Sequence, residues 1–315
     1  MSRAGWTLRY SSPEVPSIED GALCLLSARG SEDRSRAAFW DDHVLTHGDS
    51  CWEVEEQRPD EIVIGRRGER RRLGLRDAAS LRSLMAGRSV AYIDVSGLAH
   101  DTWAPILREA LSAVQTLWVM YAEPESYRLH ASPASWNVFD LSTSIGGVAP
   151  LPGFANLRGP REEAPCAFVP FLGFEGMRAR QLALSLDPVP PVVPVVGVPG
   201  FRFEYPQFTV ACNNELLSDY QAHVNVRVAR ASCPFEAYRT LCEISQDFPG
   251  AHVYIAPIGT KPHAVGAVWF AIDHPESTEL LYDHPVRRPK RTVGVGPVHL
   301  YCLRDAGRGP FNGSR

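Results

Sequence analysis

The sequence predicts an α/β protein with a Rossmann-like, doubly wound, mostly parallel sheet, arranged as two consecutive βα halves. Three observations predict it. Short continuous apolar runs recur along the chain, as buried parallel strands require. Stretches with helical spacing alternate with them. The runs end in Gly, Ser or acidic turns, where the carboxyl edge of such a sheet gathers its loops.

The elements follow in order. Residues 1–20 are polar and irregular. Gly21 to Ala28 (GALCLLSA) reads as the first buried strand, with a helix from Arg36 to Val44 behind it. Glu61 to Ile64 reads as a short strand, and the arginine-rich Arg66 to Arg72 as a solvated turn. Asp77 to Met85 has helical spacing. Ser89 to Val95 (SVAYIDV) is a clear strand. Thr102 to Val114 then sets Ile106, Leu107, Ala110, Leu111 and Val114 on one helical face. Thr116 to Tyr121 (TLWVMY) is the next strand, so a right-handed βαβ unit is expected. Residues 131–164, rich in Ser, Pro and Gly, read as a linker or elaborated loop. They divide an N-terminal half, 1–130, from a C-terminal half, 165–315.

The second half resumes with a strand at Cys166 to Leu172 and a helix at Met177 to Leu186. Pro191 to Val196 reads as a short or edge strand because of its prolines. Asn214 to His223 reads as a helix, Val224 to Ala229 as a strand and Phe235 to Phe248 as a helix. Ala251 to Pro257 is a strand, followed by a helix over 264–272. Thr278 to Tyr282 and Val298 to Leu303 close the chain as strands.

Composition bounds the function. The chain has 315 residues, 44% hydrophobic and 22% charged, with a formal net charge of −4. That balance argues against bulk nucleic-acid or membrane-surface binding. Only Lys261 and Lys290 are lysines; the remaining cations are arginines. The seven cysteines show no C-x-x-C pair, and no apolar run reaches the length of a membrane span. A reducing cytoplasm without structural disulfides is the expected setting. No H-E-x-x-H and no Cys/His set with zinc-finger spacing appears, so no metal site and no cofactor are predicted.

The sharpest motif is Ile258-Gly259-Thr260-Lys261-Pro262-His263, between the 251–257 strand and the next helix. Gly259 allows a tight turn, Thr260 and following N–H groups suit phosphate oxygens, and Lys261 adds a point charge. His263 adjoins this turn. An ordinary βα turn with a surface lysine has the same sequence. Neither G-x-x-x-x-G-K-[ST] nor G-x-G-x-x-G is present.

A weaker repeat links the halves. The first strand of each ends in Gly-x-Glu followed by arginine: Gly30, Glu32 and Arg34, then Gly173, Glu175 and Arg178. The carboxylates suit ribose hydroxyls or a general base, and the arginines suit phosphate. Helix-surface Glu–Arg pairing gives the same spacing. Asp94 and Ser96 close the 89–95 strand, where an acid in an apolar run must be paired or near water. Glu123, in Glu123-Pro124-Glu125-Ser126-Tyr127, brings a carboxylate to the same edge. Glu32, Asp94, Glu123 and Glu175 are therefore the candidate catalytic carboxylates.

The Gly259-Thr260-Lys261 turn in a Rossmann-like half resembles the CARF superfamily of cyclic-oligonucleotide sensors in prokaryotic antiviral systems. Those domains often carry a Gly-Gly-Thr-Lys-like turn; this chain has one glycine fewer. The resemblance spans about residues 165–302 and implies that Gly259, Thr260 and Lys261 contact a nucleotide phosphate. It also implies that a loop at an earlier strand end closes the site. The expected function is a nucleotide- or phosphate-ligand-binding sensor of a bacterial defence or stress operon. Homo-oligomers, or an effector protein that reads out binding, are compatible with such a module. The alternatives are a nucleotide-processing hydrolase, glycosidase or transferase, and a non-catalytic Rossmann-fold scaffold.

Overall fold

The structure is a computed structural model, and it describes residues 6–11, 14, 16–28, 30, 32–134, 137–156, 159–160 and 164–306. The chain divides into two compact units, residues 1–126 with 292–315, and residues 127–291. The elements used below are β1 (Trp6–Tyr10), β2 (Leu23–Ser27), α1 (Phe39–His47), β3 (Cys51–Gln57), β4 (Glu61–Arg66), β5 (Glu69–Gly74), α2 (Ala78–Ser83), β6 (Val90–Asp94), α3 (His100–Ala113) and β7 (Thr116–Ala122). They continue as β8 (Cys166–Pro170), α4 (Gly176–Leu184), β9 (Val195–Gly197), α5 (Tyr205–Cys212), α6 (Asn214–Asp219), β10 (Arg227–Ala229), α7 (Pro234–Asp247), β11 (His252–Ala256), α8 (Lys261–Asp273), β12 (Thr278–Leu280) and β13 (Val298–Asp305).

The first unit is built on an eight-stranded sheet in the order β1-β13-β7-β6-β2-β3-β4-β5. Its centre is parallel: β7 with β6, β6 with β2, and β2 with β3. Both flanks are antiparallel, so the sheet is mixed rather than mostly parallel. From β2 the chain moves to β3 on one side, then returns to β6 and β7 on the other. The order therefore reverses between β2 and β6. β2 is buried throughout, and β7 is buried from Leu117 to Ala122, which explains their uninterrupted apolar sequences. α3 buries Trp103, Ile106, Leu107, Ala110 and Leu111; each large apolar side chain so removed from water contributes about 1.5–3 kcal/mol.

Two predicted features of this unit are corrected. The arginine-rich 66–72 stretch is mostly strand: β4 and β5 form a hairpin whose tip, Arg67 and Gly68, has positive φ at both residues. Arg70, Arg71 and Arg72 lie exposed on β5, the last strand in the order, where charge blunts edge-to-edge pairing. The terminal strand β13 pairs antiparallel with β7 and β1. It completes the first unit's sheet, not a second half running to residue 315.

The second unit is parallel at its centre. β8, β11 and β12 pair in register, as do β9 and β10. Parallel bridges Phe168–Val192 and Phe171–Val195 join the β9 segment to β8. The strand order is thus β10-β9-β8-β11-β12, reversing between β8 and β11. β9 is an interior strand, not an edge: Pro191 and Pro194, which have no N–H, supply carbonyls to Phe168 N and Arg227 N on opposite neighbours. The 131–164 stretch is not only a linker. Residues 129–134 pair with 137–139, and 142–145 pair with 285–287, all within this unit.

α8 is buried along Lys261–Ala271. Its Thr260 cap accepts from His263 N, and Pro262 occupies the first turn. Among the described residues no helix is long and apolar enough to cross a membrane.

Candidate functional site

In the second unit two turns meet where the strand order reverses. Ideal Cβ atoms show how close they run. One on Gly173 would sit 2.9 Å from Ile258 O; one on Gly259 would sit 2.8 Å from Leu172 O and 3.0 Å from Phe171 O. Only glycine permits this backbone approach. Gly173, Gly259, Thr260, Lys261 and His263 are thereby brought to one strand-end neighbourhood.

The side chains there do framework work. The Thr260 hydroxyl donates to Ala231 O at 2.6 Å while capping α8. Lys261 opens the helix and is only 6% exposed, so it is not a solvated surface cation. His263 is fully buried, with Nε2 3.0 Å from Arg230 O and its ring against Phe171. Burial pushes its imidazole down to about 4, against the raising effect of carbonyls from Arg230 and Ala229 and of Glu236. It is therefore neutral at pH 7, and the neutral ring donates from Nε2 to that carbonyl.

Arg178 is committed elsewhere. Its Nε and Nη2 each donate to Asp283 at 2.7 Å, and Nη1 donates to Glu175 at 3.2 Å. Burial alone would lower the guanidinium pKa; the Asp283 hydrogen bonds, with Tyr282 and Glu175 nearby, raise it overall. Asp283 is fully buried. The fork fixes α4 to the segment after β12, so Arg178 and Glu175 are positioning groups rather than open phosphate ligands.

The first unit repeats this device. Arg34, 2% exposed, donates to Glu32 at 3.0 Å and to the Tyr121 hydroxyl at 2.9 Å. Thr292 donates to the same Glu32 oxygen at 2.7 Å. Gly30 lies over Ser35, with 3.1 Å from an ideal Cβ to Oγ. Asp94 is buried and paired, as an acid in an apolar strand must be. It accepts from the Trp40 indole at 2.7 Å and from Ser96 N at 2.8 Å. Ser96 Oγ accepts from Ala122 N.

The pair that sequence reasoning missed is Glu123 with His299. A short hydrogen bond joins Glu123 Oε1 to His299 Nε2, and both residues are buried. Positions 123 and 299 give no local spacing; the antiparallel β7–β13 register sets His299 opposite Tyr121, beside the end of β7.

A second constellation outside the predicted set is Cys24, His43 and Cys51, whose sulfur and nitrogen atoms lie within 4.8 Å of one another. These are the described residues suited to a metal. Two concavities of the second unit have none of residues 259–263 in their lining. One is apolar, with Val196, Val198, Val210 and Val228. The other, near the start of β11, includes His252, His274 and Glu276.

Compared with protein-family models, with curated proteins and with solved structures, the chain matches none.

Proposed function

We propose that this chain is a nucleotide- or phosphate-ligand-binding protein of sensor type, and that its second unit is a Rossmann-like, doubly wound module. The observation behind this reading is the reversal of strand order between β8 and β11, with the Gly173 and Gly259 backbones in contact at its carboxyl edge. Open α/β sheets bind ligands at such a point. The amino end of α8 adds backbone dipoles there, and Lys261 adds charge. Thr260 and His263 hold the turn in shape, while Arg178 and Asp283 hold the facing helix. The CARF-like turn suggests a signalling nucleotide and a partner effector, in a bacterial defence or stress setting.

The test is calorimetry with mono-, di- and cyclic oligonucleotides on the wild type and on Lys261→Ala. The variant is expected to lose about tenfold or more in affinity, near 1.4 kcal/mol, if the ammonium faces phosphate. Unchanged affinity in a variant that melts like the wild type would remove the reading.

A second reading rests on the Glu123–His299 pair, a buried carboxylate–imidazole couple of the kind used for proton transfer. It makes the chain a nucleotide-processing hydrolase or transferase. Chromatography of the same nucleotides after incubation separates the two: products lost on Glu123→Gln support catalysis, and intact bound ligand supports sensing.

A further inference from the structure

Cys24 on β2 and Cys51 at the start of β3 are direct register partners in the parallel pair. The crossover between these strands contains α1, and α1 brings a third ligand type to the same level. His43 Nε2 lies 3.7 Å from Cys24 Sγ, and the three donor atoms fall within 4.8 Å of one another. Zn–S bonds of about 2.3 Å and Zn–N bonds of about 2.0 Å, set tetrahedrally, hold such atoms roughly 3.6 Å apart. The Cys24–His43 separation already matches.

We propose that Cys24, His43 and Cys51 form a Zn(II) site in the first unit, with a fourth tetrahedral position left to a ligand from outside this trio. The ligand chemistry selects the ion. Two thiolates and an imidazole suit borderline-soft zinc and disfavour Mg(II) or Ca(II), which take oxygen. Both cysteines are buried and His43 is half-buried, so the set is reached from the α1 side, with His47 stacked on His43 at 4.7 Å.

Binding M(II) forms two M–S bonds and one M–N bond, and releases the protons held by the two sulfurs. Buried thiols also occur as plain core residues; the converging imidazole distinguishes this pair.

The inference does not depend on the nucleotide site. Its test is Co(II) titration of the reduced full-length chain, read by the thiolate-to-cobalt charge-transfer band and the visible bands of tetrahedral cobalt. One Co(II) per chain is expected, displaced by Zn(II). Cys24→Ser with Cys51→Ser should abolish the band. His43→Gln, on the helix and outside the strand core, should weaken binding by about tenfold or more while the circular-dichroism melt without metal stays put. A folded wild type without tetrahedral cobalt bands would overturn the site. So would equal bands in the double cysteine variant, which would assign binding to other cysteines, or undiminished affinity in His43→Gln.

Discussion

At the residue scale, the strand ends of both units are organised by buried ionic or polar groups that are hydrogen-bonded to one another. Arg34 with Glu32 and Arg178 with Glu175 and Asp283 are two versions of one device: an arginine just past a first strand, drawn in and neutralised. Removing one member of such a pair leaves a buried charge, so these residues read first as framework. His263 gives the sharpest residue-level consequence. Its folded pKa is about 4 against an ordinary 6.5. Above pH 6.5 the ring is neutral in folded and unfolded chains, and its full contribution is present. As pH falls from 6.5 towards 4 the unfolded chain takes up a proton that the folded one refuses, and stability drops. The loss approaches about 3 kcal/mol by pH 4. His263→Gln should flatten that acid limb relative to wild type. Urea midpoints at pH 7 and pH 4.5 measure the difference, and parallel limbs in the two proteins would refute the assignment.

At the element scale, helix α8 is packed by what Gly266 lacks. An ideal Cβ there would lie 2.3 Å from Pro234 O and 2.8 Å from Ala237 Cβ, both on α7. On an exposed helix, Gly to Ala gains about 1 kcal/mol of propensity. Here the obstruction is a backbone carbonyl that cannot swing aside, and overpacking costs about 1–3 kcal/mol. Gly266→Ala should therefore lower the melting temperature, and a rise would show that α7 and α8 are farther apart. The same helix shows what was legible in the sequence. Its strand, turn and helix order was readable because an apolar run and a turn glycine each have local causes, whereas the Thr260 cap and the helix start at Lys261 emerged only in the structure. The β4–β5 hairpin was not, because its strand residues are arginines whose place at a sheet edge only pairing reveals. Pro191 and Pro194 misdirected the reading of β9 for a related reason: proline withholds a donor but still offers a carbonyl to either neighbour.

At the scale of the whole molecule, register decided what the sequence concealed. Glu123 meets His299 through a strand returning 176 residues later, and Cys24 meets Cys51 across a crossover, so neither set has a local spacing. The predicted division at 131–164 misses the return for the same reason. The second unit is an insertion between Ser126 and Thr292. Its ends are hydrogen-bonded neighbours, Arg128 N donating to Arg291 O at 2.8 Å. The apolar clusters are separate as well. One joins Trp40, Tyr92, Trp118, Leu300 and Cys302; the other joins Phe139, Leu141 and Tyr205 with Tyr127, Phe174 and Phe208. Units with their own cores and adjoining ends tolerate excision. Residues 127–291 alone, and the first unit with Ser126 joined to Thr292 by a short Gly-Ser linker, should each unfold in a single cooperative transition. Loss of near-ultraviolet circular dichroism in either fragment at 20 °C would show that the cores depend on each other, and would also restrict the cobalt and nucleotide experiments to the intact chain.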